Sequence, residues 1–88
     1  PLPPRTEAQR IAELAGGEDR LADAMRSAAQ AGDHQWTMQL ADRLIRLGTH
    51  AAEAKTAKRQ AMLALAEQTL NAPTRNYYLV AAKELAGE

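Results

Sequence analysis

Apolar residues recur at the spacing of an α-helix along almost the whole chain, and Gly and Pro residues divide this pattern into five segments. In the second segment, Leu21, Ala24, Met25 and Ala28 stand at positions i, i+3, i+4 and i+7. No segment alternates apolar and polar residues over more than a few positions, as a half-buried strand would. The sequence therefore predicts five helices, near residues 6–15, 18–31, 34–47, 50–70 and 75–86.

Polar residues stand where helix N-caps are expected. Thr6, with a Gln three residues later, fits the capping box, and three further candidates precede the later segments: Asp33, Thr49 and Thr74. Because Asp33 directly follows Gly32, a C-cap is joined to an N-cap, which predicts a tight hairpin between the second and third helices.

Two further helices carry a predicted apolar stripe. On the first helix it consists of Ala8, Ile11, Leu14 and Ala15, and on the third of Trp36, Leu40, Leu44 and Leu47. We expect the Trp36 ring to pack into the helical hairpin, with stacking on a ligand as the alternative.

Two segments are apolar on every side of their helix. Residues 61–66 in the fourth helix and 77–82 in the fifth are both uninterrupted apolar runs of more than one turn. A small bundle rich in alanine has a thin core, and Tyr77 and Tyr78, about 100° apart, cannot both face it. We therefore expect a partner surface to cover part of these helices. The alternative is that the bundle folds over both runs.

Composition supports a single all-α domain and excludes several partners. Alanine is the commonest residue, and the β-branched aliphatics are limited to Ile11, Ile45 and Val80. Eleven basic residues balance eleven acidic ones, so binding to nucleic acid or to an anionic membrane is not favoured. Cysteine is absent, and no apolar run approaches the roughly 20 residues that span a bilayer. The Pro-rich start without Met leads us to expect a fragment of a longer protein.

No set of residues has the spacing of an active site. His34 and His50 are the only histidines and start different helices, and Ser27 has no acid or base at a helical spacing. We therefore predict no catalytic residue, no metal ligand and no cofactor in these residues; a self-sufficient enzyme is the least favoured hypothesis. Three residues form a short basic face on the fourth helix, either solvated or docking an acidic neighbour: Lys55, Lys58 and Arg59.

Two family resemblances extend this interpretation. The stretch from Ala31 to Trp36, with small residues and an aromatic near the turn, resembles a TPR hairpin, although no second 34-residue copy is evident. Nearly the whole chain resembles the helical dimerisation domain of alkylsulfatases of the metallo-β-lactamase superfamily. Motifs of that domain occur here in order: Glu13-Leu14-Ala15-Gly16-Gly17, Gly32-Asp33 with Trp36, Arg75-Asn76-Tyr77-Tyr78-Leu79, and Glu84-Leu85. Two departures are Gly48-Thr49-His50 after the hairpin and Asn71-Ala72-Pro73-Thr74 before the last motif.

The resemblance implies a non-catalytic domain, residues 1–88, that forms a homodimer and joins two hydrolase subunits. It also implies a zinc-dependent catalytic domain of the same parent chain, whose metal ligands lie outside these residues. With the apolar runs, it indicates an interface formed by Trp36, Leu40, Leu44, Met62, Leu63, Leu65, Arg75, Asn76, Tyr77, Tyr78 and Leu79. The sequence thus predicts an all-α five-helix bundle with TPR-like antiparallel helical hairpins. The alternative function is a monomeric TPR-like module that binds a peptide in a groove lined by Trp36 and the second helix.

Overall fold

A computed structural model describes residues 1–69 and 72–87 of the chain, with only the backbone of residue 72. The described residues are helical throughout, with no strand, as predicted. The helices are α1 (Pro4–Ala15), α2 (Glu18–Gln30), α3 (His34–Leu47), α4 (Ala51–Gln68) and α5 (Ala72–Leu85). No helix in this part of the chain is long and apolar enough to cross a membrane.

Of the N-caps predicted for α1, α3 and α4, the position of Asp33 is confirmed, whereas Thr6 and Thr49 are not N-caps. α1 begins at Pro4, because proline lacks an N–H and its fixed φ suits the first helical position, so Thr6 lies inside the first turn. Asp33 does occupy the N-cap position of α3, but its side chain makes no capping hydrogen bond. The N-cap of α4 is His50, in the left-handed conformation at φ 50°, and not Thr49.

The start of α5 also differs from its prediction. The helix begins at Ala72, so Pro73 lies in its first turn, where a missing N–H costs no intrahelical hydrogen bond, and Thr74 lies within the helix. α4 ends at Gln68. Leu70, the predicted end of α4, and Asn71, part of the predicted break, lie outside the described residues.

A single core joins the first four helices. Its largest fully buried side chains come from α2 and α3: Leu21, Met25, Leu40, Leu44 and Thr37. Alanines from α1, α2, α3 and α4 fill the space between them, which lets the helices approach closely. Thr37 is the buried polar residue of this core, and its hydroxyl donates a hydrogen bond of 2.8 Å to the backbone oxygen of Asp33.

Ion pairs connect these four helices across their surfaces. Arg43 on α3 contacts Glu7 on α1 at 2.8 Å, and Lys58 on α4 contacts Asp42 on α3 at 2.7 Å. The helix α5 differs, because within residues 1–69 and 72–87 its backbone packs closely on α4 and on no other helix. None of the charged side chains of α5 forms an ion pair within the described residues. It is therefore attached to the bundle along one side only.

Candidate functional site

The side of α5 that faces away from α4 is apolar and exposed. Tyr77 and Val80 lie on this side and are 64% and 49% exposed, whereas Leu79, 41% exposed, stands about 200° around the helix from Tyr77, at the edge of the contact with α4. We call these three exposed residues the α5 outer face. The opposite side packs on α4 through Ala82, which is 2% exposed, with Tyr78 partly buried beside it. Since helical positions are about 100° apart, an apolar run of six residues presents one side to α4 and the other to solvent. The bundle does not fold over this run, so the alternative of complete enclosure is wrong.

The apolar run of α4 is enclosed on one side. Ala61, Met62 and Ala66 are buried at 3%, 4% and 1% exposure, whereas Leu63 and Leu65 are only partly buried. Leu63 lies next to α5, where it lines a groove together with Leu79. The exposed apolar surface of α5 therefore continues onto α4.

Two adjoining grooves follow the contact between α4 and α5, and we treat them together as the α4–α5 groove. One, of about 370 Å³, is lined by Arg59, Leu63, Leu79, Ala82, Lys83 and Ala86. The other, of about 420 Å³, is lined by Ala52, Lys55, Thr56, Arg59, Leu85 and Ala86. Every charged residue in the two linings is a cation. Lys55, Arg59 and Lys83 form no ion pair within the described part of the chain.

Three predicted interface residues lie inside the protein, which corrects that part of the prediction. Leu40 and Leu44 are 2% and 0% exposed in the core, and Met62 is 4% exposed between α4 and α5. A second chain could reach them only if the helices separated. The buried positions of α3 recur at i, i+3, i+4 and i+7 from Thr37, so Trp36, one residue earlier, is turned away by about 100°.

Trp36 is consequently not a core residue, contrary to the expected packing into the hairpin. It is 46% exposed near the start of α3. The neighbouring Gln35 amide lies 3.4 Å from the hydroxyl of Tyr78, which brings the start of α3 close to α5. The Tyr77 ring packs edge-on against the Tyr78 ring at 5.7 Å between centroids. The structure therefore places the first turn of α3, which carries Trp36, beside the tyrosine pair of α5.

The remaining predicted interface residues are accessible. Arg75 and Asn76 are exposed on the first turns of α5, and Leu65 and Tyr78 are partly buried. Val80 and Lys83 belong to this surface but were not among the predicted interface residues, although Val80 lies in the apolar run of residues 77–82. Leu14 was predicted in the apolar stripe of α1, whereas it is 85% exposed.

The strongest electrostatic contact lies away from the α4–α5 groove. The Arg26 guanidinium on α2 donates hydrogen bonds of 2.6 and 2.7 Å to the Glu53 carboxylate on α4 and one of 2.7 Å to Asp23. These hydrogen bonds lower the pKa of Glu53, and its attraction to Arg26 and His50 acts in the same direction. The carboxylate therefore stays ionised at a lower pH than an isolated glutamate, and α2 stays linked to α4 down to that pH.

The histidines and the serine considered in the sequence lie apart from one another in the described part of the chain. Within residues 1–69 and 72–87, no group of three or more His, Cys, Asp or Glu side chains is placed to hold a metal ion. The two histidines are separate: His50 Nε2 lies 2.8 Å from Asp19, and His34 lines a groove between α2 and α4. Ser27 is exposed on α2.

Comparison with known proteins gives one family and several relatives. The family described as "Alkyl sulfatase dimerisation" matches residues 1–88. An (R)-specific secondary-alkylsulfatase from Pseudomonas sp. is 36% identical over 85 residues, which cover 97% of this chain and 13% of that protein. A linear primary-alkylsulfatase from Pseudomonas sp. (strain ATCC 19151) is 34% identical over 88 residues, which cover 100% of this chain and 17% of that protein. Another, from Pseudomonas sp., is 30% identical over 84 residues, or 96% of this chain and 12% of that protein. No solved structure shows a significant match.

Proposed function

The chain belongs to the alkyl sulfatase dimerisation family, and from this premise we propose that it is a non-catalytic domain through which two copies associate. The observation that supports this proposal is the α5 outer face, because a helix with exposed apolar side chains on its free side has an unfilled packing surface. The family description names dimerisation, and a second copy of the chain would cover this surface.

The proposed interface keeps the accessible part of the predicted set and adds Val80. It consists of Trp36, Leu63, Leu65, Arg75, Asn76, Tyr77, Tyr78, Leu79 and Val80. Leu40, Leu44 and Met62 are left out because the fold of one copy already buries them. Aromatic side chains such as Trp36 and Tyr77 are enriched at the centres of protein interfaces.

Rough free energies of burial and typical interface areas indicate that α5 alone would form too small an interface. Covering the exposed parts of Leu79 and Val80, each under half of the side chain, is worth roughly 1 kcal/mol per side chain. Association costs about 4–15 kcal/mol in lost translational and rotational freedom. A standard interface also buries about 800 Å² per partner, against a total surface of 5604 Å² for this chain. The contact must therefore extend beyond α5, onto α4 and other apolar surface.

We further propose that the parent protein is an alkylsulfatase-like hydrolase whose active site lies outside these residues. The relatives are alkylsulfatases, and this chain spans only 13% and 17% of the length of the first two. The resemblance in the sequence implies a zinc-dependent catalytic domain of metallo-β-lactamase fold. Because the described residues hold no group that could bind a metal ion, any such zinc site would belong to that other part of the parent.

Sedimentation of the 88-residue chain tests the proposed association. We expect the average mass to rise with concentration from 9.6 kDa to twice that value and then to stay constant. A mass of one copy at every concentration up to the millimolar range would contradict the proposal. It would favour instead a monomeric module that binds another protein.

A further inference from the structure

A second exposed apolar feature lies where α1 meets α2. Leu14 is 85% exposed although the helix that carries it buries Ala8 and Ala12. It stands two residues after Ala12, about 200° around the helix, so it is directed away from the core. The helix then ends at Gly16, which has φ 101°, and α2 begins at Glu18. The result is a single apolar side chain projecting beside a sharp turn.

This turn, residues 13–19, which we call the α1–α2 corner, is acidic. Glu13, Glu18 and Asp19 contribute three carboxylates, and Glu18 forms no ion pair within the described residues. Two cations flank the corner: Arg20 directly follows it, with its side chain beside Gly16, and Arg10 lies one turn before Leu14 on α1. The corner therefore offers an apolar side chain with a free carboxylate next to it.

The α4–α5 groove has the complementary chemistry. Its lining is apolar along Leu63, Leu79 and Ala82, and its charged residues are all cations without an ion pair. If two copies placed this groove face to face, each would bring the cations Lys55, Arg59 and Lys83 toward those of the other copy, and like charges oppose association. A surface with carboxylates and an apolar projection fits it better.

The fold places the corner near the end of the groove that Ala52 and Leu85 line, and Leu63 lies about 16 Å further along α4. Asp19 contacts His50 at 2.8 Å, and His50 directly precedes α4. The lining of the groove starts at Ala52, two residues after His50. A two-fold axis at this end can therefore bring each corner to the groove of the other copy, which closes the assembly at two chains.

We propose that Leu14 of one copy enters the α4–α5 groove of a second copy, with Glu18 facing Arg59 across the contact, and that two-fold symmetry repeats the contact. This inference rests on the proposed function, and it assigns the surface that covers Leu63 and Leu79. The proposed contact accounts for two features of the described residues. The groove has three cations that form no ion pair, and an exposed leucine stands on an acidic corner.

Mixing two charge-reversal variants tests the contact directly. In homodimers of Glu18→Lys, or of Arg59→Glu, both contacts set like charges against each other, so we expect each variant alone to dimerise at least about tenfold more weakly than the unsubstituted chain. A mixed dimer contains one copy of each variant. In one of its contacts the lysine introduced at position 18 faces the glutamate introduced at position 59, and in the other contact the original Glu18 and Arg59 still face each other. Sedimentation of an equimolar mixture should therefore show dimer formation restored to within about threefold.

Leu14→Ser tests the apolar part, and Leu2→Ser is its control because Leu2 is an exposed leucine outside the contact. We expect the first substitution to weaken dimerisation about tenfold and the second to leave it unchanged; circular dichroism checks that the variants remain helical. A dimer indifferent to Leu14, or a mixture no stronger than its components, would overturn this contact and leave the proposed function standing. A wild-type chain that never dimerises would overturn both.

Discussion

A chain that carries Leu79→Ser together with Val80→Ser is expected to remain monomeric at concentrations where the unsubstituted chain dimerises. The two side chains are 41% and 49% exposed, so the substitutions remove apolar surface from the α5 outer face without opening the core. We expect the dimer dissociation constant to rise at least about thirtyfold, since two central apolar contacts are lost in each copy. Sedimentation equilibrium measures this change.

The matched control is again Leu2→Ser, which removes an equally exposed leucine from a different part of the surface. The double variant must also keep its helical circular dichroism, which shows that α5 still packs on α4. If it dimerises as strongly as the unsubstituted chain, the α5 outer face is not the interface.

Leu44→Ala is expected to have the largest effect on folding. Leu44 is 0% exposed at the centre of the core, and truncating such a leucine costs about 2–5 kcal/mol of unfolding free energy. Small domains have a total of about 5–15 kcal/mol, so the variant should lose a large share of the stability of the chain. Urea denaturation followed by circular dichroism measures the loss.

Leu14→Ala is the control for this prediction, because it makes the same chemical change at a residue that is 85% exposed. We expect a change within about 0.5 kcal/mol. Both variants are measured below the concentration at which the chain dimerises, so that association does not contribute to stability. Similar losses for the two leucines would contradict the assignment of Leu44 to the core.

Glycine positions were enough to predict where the first three helices end, because glycine acts through the backbone alone, whereas Pro4 and Pro73 lie inside the first turns of α1 and α5 and do not precede them. Gly16 and Gly48 take positive φ values directly after α1 and α3, as C-caps commonly do. The N-caps were not predictable in the same way. Whether Thr49 or His50 caps α4 depends on the backbone angles of the connection, and the ion pair of His50 with Asp19 is a tertiary contact that neither residue indicates by itself.

The candidate surface was predictable in outline and not in detail. An apolar run that surrounds a helix must leave one side uncovered when only one neighbour packs against it, and this is the case for α5. Which residues of α3 are buried depends on the direction of its neighbours, which the stripe of Trp36, Leu40 and Leu44 does not specify. The core instead takes Thr37, a polar residue whose hydroxyl is satisfied by the backbone of Asp33.

In the proposed dimer, a second copy covers the α5 outer face and the α4–α5 groove. Hydroxyl-radical labelling of the unsubstituted chain, at concentrations below and above dimer formation, measures this covering side chain by side chain. We predict that labelling of Leu79, Val80 and Leu63 falls as the dimer forms, while labelling of Leu2 stays constant. Labelling of Leu79 and Val80 that does not change while the mass doubles would contradict the claim.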